Sequence, residues 1–158
     1  MMIKKKTIAA ALLGLTLTAP LVAPAPAFAA EPAAVTNNLQ NDAVVIKSLD
    51  ETCKVCTALV KTLGDMPHHI HDQKLLTEDR EAIEGLRIKL HSIKPVLRDD
   101  TDKAAYDKAQ KTLAAALDKA AKATKSDKDL KRYHLASMQK IGDTLRLIEP
   151  LYDHYNIK

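Results

Sequence analysis

The sequence predicts an all-α fold: an up-down-up-down four-helix bundle after a cleaved N-terminal signal peptide. Three observations carry that prediction. Apolar residues recur at three- and four-residue spacings through four separate stretches. No stretch shows the apolar/polar alternation or the β-branched density of a strand. The four stretches also have matched lengths, about 39, 33, 36 and 40 Å at 1.5 Å per residue, as an antiparallel bundle requires.

The first segment is a targeting signal. Lys4, Lys5 and Lys6 precede the apolar run TIAAALLGLTLTAPLVAPAP, and Ala27-Phe28-Ala29 gives an A-x-A cleavage pattern. Residues 1–29 are therefore assigned to the signal, and Pro20, Pro24 and Pro26 argue against a retained membrane helix. No cysteine stands near the cleavage point to carry a lipid anchor. Residues 30–38 read as a flexible lead.

The first helix is predicted over 39–64. Leu39, Ile46, Leu49, Cys53, Cys56, Val60 and Leu63 define one face, and Gly64 with Pro67 supplies the stop. A 12-residue connection follows, long for such a fold. The second helix, 77–98, starts on Thr77 as N-cap and carries Ile83, Leu86, Leu90, Ile93 and Leu97, with Pro95 kinking or ending it. The third, 101–124, is Ala-rich, capped by DDTD at 99–102, with Tyr106, Ala109, Leu113, Ala116 and Ala120 inward. The fourth, 127–153, is capped by SDKD at 126–129 and carries Leu130, His134, Met138, Ile141, Leu145, Ile148 and Tyr152.

Charge excludes some partners. Three of the 24 basic residues lie in the signal and none of the 20 acids does, which leaves 21 against 20 in the mature chain. That balance, with no Phe or Trp after residue 29, makes nucleic acid a poor partner. The Lys-rich run DKAAKATKSDKDLKR interleaves acids with its bases and reads as a solvated helix face. No later run reaches the roughly 20 apolar residues of a membrane span. The expected product is a periplasmic or secreted protein with no membrane span in its mature chain.

CKVCTALVKTLGDMPHHIH, residues 53–71, holds the chemistry. Covalent c-type haem needs C-x-x-C-H, and Thr57 follows Cys56. Non-covalent haem needs ligands on opposite sides of a core, whereas His134 and Met138 stand one turn apart on one helix. No Glu-x-x-His pair, G-x-S-x-G, H-E-x-x-H or phosphate loop occurs, so no enzyme is predicted. A dithiol redox pair belongs at a helix N-terminus, and Cys53 is more than three turns inside. A disulfide within the helix also needs Cβ atoms roughly 3.8 Å apart, against about 5–6 Å for helical neighbours.

Metal remains. Counted from the shared end of the bundle, Cys56 and Cys53 lie about 12 and 16 Å down the first helix. His134 and Met138 lie about 10 and 16 Å down the fourth. Cys53, Cys56, His134 and Met138 would then share one core layer, a soft donor set for Cu or Zn. His68, His69 and His71, with Met66 and Asp72, form a weaker second candidate in the connection. The predicted function is a small exported protein binding a soft transition metal for capture or buffering. The alternative is an envelope interaction module, of stress-response, chaperone-like or inhibitor/immunity type, whose partner is an envelope protein and whose cysteines are structural.

Overall fold

The structure, a computed structural model, describes the backbone of residues 26–155 and the side chains of residues 41–155. Four helices follow in order: α1 (Pro26–His69), α2 (Gln73–Ser92), α3 (Asp100–Ala123) and α4 (Asp127–Tyr155). No strand occurs among the described residues, and none of their helices is long and apolar enough to cross a membrane. The predicted signal lies outside the described residues as far as residue 25.

Two compact units divide the chain, Met1–Gln40 and Asn41–Lys158. The described part of the first, 26–40, is helical and includes 30–38, the span expected as a flexible lead.

In the second unit, successive helices run in opposite directions. Glu51 pairs with Lys89 and His69 with Asp79, which makes α1 and α2 antiparallel. Arg87 reaches Asp118 while Arg80 reaches Thr124, so α3 reverses α2. Ser137 bonds Ala116 O while His154 meets Asp102, so α4 reverses α3. Leu63 meets His134 and Asp50 meets Tyr152, which sets α1 antiparallel to α4. The arrangement is all-helical and compatible with a four-helix bundle.

Several helix ends differ from expectation. Gly64 does not stop α1, which runs on through Pro67 to His69. Gly64 keeps a negative φ, and Pro67 lies in the last turn, where its missing N–H leaves Leu63 O to be satisfied from elsewhere. The connection therefore shrinks from 12 residues to Ile70–Asp72. Asp72, not Thr77, caps α2: its carboxylate accepts from the N–H groups of Lys74 and Leu75 at 2.9 and 3.2 Å. At the other end α2 stops at Ser92 rather than 98. Ile93 is extended (φ −83°, ψ 110°), and a helix ending shortly before Pro95 fits the steric restriction on the residue preceding a proline.

The core also rotates relative to expectation. On α1 the sealed positions are Val45, Leu49, Thr52, Val55, Cys56, Leu59, Leu63 and Met66, so Ile46 and Cys53 stand on the flank and Val60 is exposed. On α4 they are Leu130, Ser137, Ile141, Thr144, Ile148, Leu151 and Tyr155. Ser137 and Thr144 are admitted because their hydroxyls donate to Ala116 O and Lys140 O. That turns Met138 and Tyr152 to the edge of the core and leaves Leu145 exposed. All five residues predicted for α3 are buried.

Candidate functional site

Cys53 and Cys56 are both free and stand one helical turn apart on α1. Cys56 is only 2% exposed; Cys53 is half-buried and reaches the α1–α4 edge. There it lines a cavity of about 330 Å³ with Leu145, Ile148 and Tyr152. The rotation of α4 makes this space, because exposed Leu145 and half-buried Tyr152 stand where sealed seam residues were predicted.

Tyr152 connects the thiol to solvent. Its hydroxyl donates to Asp50 Oδ1 at 2.6 Å and lies 3.7 Å from Cys53 Sγ. One phenolic hydrogen serves one acceptor, and a carboxylate is the stronger. Burial, reinforced by the bond to Asp50, pushes the Tyr152 phenol far above its ordinary range. Burial also pushes the Cys56 thiol up to about 12, and neighbouring Cys53 adds to the effect. A reactive redox thiol shows the reverse, a depressed value beside positive charge.

His134 does not join the cysteines, which corrects the predicted four-donor layer. Its Nε2 lies 2.9 Å from Leu63 O, the carbonyl that Pro67 cannot serve, so Nε2–H donates there. Leu63 is seven residues, about 10 Å, beyond Cys56. The count along the helices failed because α1 ends five residues later than assumed, a shift of about 7.5 Å. Met138, one turn from His134, packs at the edge of the core. Ala116 O accepts from the Ser137 hydroxyl at 2.8 Å.

The histidine-rich stretch separates as well. Met66 is fully buried in the core and His68 is exposed, both on the last turns of α1 rather than in a loop. His69 is half-buried and bonds Asp79 Oδ2 at 2.9 Å through Nδ1. His71 is exposed, 3.8 Å from Asp127, and Asp72 is occupied as the α2 cap. The five residues straddle a helix end and do not converge, with His69, His71 and Asp72 each facing a different partner.

Among the described residues, the one group of three His, Cys, Asp or Glu donors converging within 4.8 Å is Asp99, Asp102 and His154. The sequence predicts DDTD only as a helix cap and does not single out His154. The missed signal was that helices of matched length bring the start of the third beside the end of the fourth. These groups already serve one another. Asp99 accepts from Asp102 N–H, Asp102 accepts from the Tyr155 hydroxyl at 2.7 Å, and His154 Nδ1 lies 2.9 Å from Asp102 Oδ2. Arg98 N–H donates to the Tyr155 oxygen, and the Arg98 guanidinium pairs with Asp42. The group is a clasp joining α1, the 93–99 segment, α3 and α4.

No protein family, no curated protein and no solved structure matches this chain.

Proposed function

We propose that the chain is an exported up-down-up-down four-helix bundle that captures a soft transition-metal ion on Cys53 and Cys56, with Cu(I) the preferred ion. One observation carries this reading: two free thiols a turn apart, one sealed in the core and one at an open cavity. Helical spacing holds their Cβ atoms too far apart for an undistorted disulfide, which keeps both sulfurs free as ligands in an oxidising compartment. Thiolates select soft ions, and a two-sulfur site suits Cu(I) better than Zn(II), which takes four protein ligands in structural sites. His134 is engaged at Leu63 O, so the reading rests on the two sulfurs. On this reading the protein buffers or carries its ion in the periplasm or outside the cell and catalyses no reaction.

The test is Cu(I) uptake by the reduced protein, purified anaerobically, beside Cys53→Ser/Cys56→Ser. Uptake of about one ion per chain, lost in the double variant, supports the reading. Equal uptake by both proteins overturns it and leaves exposed His68 and His71 as metal candidates. The alternative, an envelope interaction module with structural cysteines, draws on exposed Ile88, Val96 and Leu135. Single exposed apolar residues are ordinary on a soluble protein, so this reading ranks second.

A further inference from the structure

We propose that the α3–α4 corner around Tyr133 is a docking surface for anionic phospholipid headgroups. The Tyr133 ring, half-buried against the core, has three cationic groups near its centroid. Arg132 lies at 5.1 Å, Lys122 at 5.8 Å and Lys119 at 5.9 Å. None of the three has an ion-pair partner among the described residues, nor do neighbouring Lys125, Lys128 and Lys131. Six cations thus gather within 14 residues of a chain that is otherwise close to charge balance.

Of the three acids interleaved in this run, two face bases outside it and the third is held by a neutral hydroxyl, so its six cations still outnumber them. Asp118 takes Arg87 at 2.7 Å, Asp129 accepts from the Ser126 hydroxyl at 2.6 Å, and Asp127 faces His71. Like charges crowded around one ring repel, and the electron-rich face of the phenol offsets part of that repulsion. A surface of phosphate groups would offset more.

Leu135, ordinary when taken singly, stands here inside a basic stripe, and that combination fits a lipid surface better than a soluble acidic protein. Lys128, Lys131, Arg132 and Leu135 stand at spacings of three, four and seven on the solvent side of α4, and Leu135 is 63% exposed. A basic stripe with an apolar side chain in it, beside a ring that is polar at one end, matches the headgroup layer. Each Lys or Arg near an anionic bilayer contributes roughly 1 kcal/mol, so even part of this cluster gives measurable binding. This surface is separate from the thiol pair and does not depend on the metal reading.

The test is flotation of the protein with vesicles of phosphatidylcholine alone and of phosphatidylcholine mixed with phosphatidylglycerol. The phosphatidylcholine vesicles measure any contribution of the apolar stretch in residues 1–29. Binding is expected on the anionic vesicles, weakened by salt. Lys119→Gln/Lys122→Gln/Arg132→Gln should lower the partition coefficient about a hundredfold, as three lost cations imply. Lys61→Gln/Lys94→Gln/Lys111→Gln makes the same change in net charge away from the corner and should bind like the parent. Equal loss in both triples would overturn the proposal in favour of net charge alone. So would absence of binding to anionic vesicles by the parent protein. All six substitutions are at partly or fully exposed positions, and far-UV circular dichroism verifies that each variant is folded.

Discussion

Pro67 has no N–H to offer Leu63 O, and His134 Nε2–H fills that position from the neighbouring helix. Removing the imidazole would leave a carbonyl without a donor at a half-buried contact. His134→Ala should therefore cost about 1–3 kcal/mol in urea unfolding. In a Pro67→Ala background the restored N–H takes the carbonyl, and the same substitution should cost about 1 kcal/mol less. Additive costs in that double-mutant cycle would show that His134 stabilises in some other way. Alkaline titration reads the sealed groups. Burial raises Cys56 from its ordinary 9.0 to about 12 and, with the Asp102 carboxylate adding to it, raises Tyr155 from 10.0 to about 12. Above those ordinary values the unfolded chain gives up protons that the folded chain retains, so stability present below pH 9 is lost as pH rises toward 12. The slope is at most roughly 1.4 kcal/mol per pH unit for each group. Tyr155→Phe should remove the part between pH 10 and 12, and equal slopes in parent and variant would sink that assignment.

In its last two turns helix α1 passes through two residues that end most helices, and each is tolerated for a different reason. Gly64 adopts an ordinary negative φ and is exposed, and a Cβ built there meets nothing within 4 Å. It therefore contributes chain entropy to the unfolded state and no contact to the folded one. Gly64→Ala should raise stability by about 1 kcal/mol, seen as a higher urea midpoint at unchanged m-value. A lower midpoint would mean that α1 needs flexibility at this point. The helices themselves were legible because apolar spacing of three and four survives any error at their ends. Their ends were not, because Pro67 is acceptable only when His134 comes from 67 residues away to bond Leu63 O. The inward faces of α1 and α4 were likewise misjudged by part of a turn. Thr52, Ser137 and Thr144 occupy core positions on the strength of hydrogen bonds, which a search for apolar residues passes over.

At the scale of the whole molecule, one error in a helix end decided the site. Matching levels between two antiparallel helices adds the errors at both ends, and five residues on α1 moved His134 past the cysteines to Leu63. The one-turn spacing of Cys53 and Cys56 is unaffected, because it depends only on position within one helix. The pair's neighbour Tyr152 was hidden, being counted with the inward seam of the fourth helix rather than with Cys53. The assembled core makes a further prediction about metal and folding. Leu49, Leu59, Leu63, Ile83, Leu113 and Ile148 are sealed in one apolar core, and the clasp of Asp102, Tyr155 and Arg98 adds further ties between the helices. The chain should then fold without metal, unlike small domains whose metal supplies the folding energy. Cys53→Ala/Cys56→Ala should retain the parent helical circular dichroism and a single cooperative transition, with Tm lowered by a few degrees for the lost sulfur packing. Free Cu(I) at a thousandfold over Kd should stabilise the parent by about 4 kcal/mol and leave the double variant unmoved. A variant that unfolds without its cysteines would make the pair structural and favour the interaction-module reading. A variant that folds and still gains stability from Cu(I) would move the metal to the exposed histidines at the end of α1.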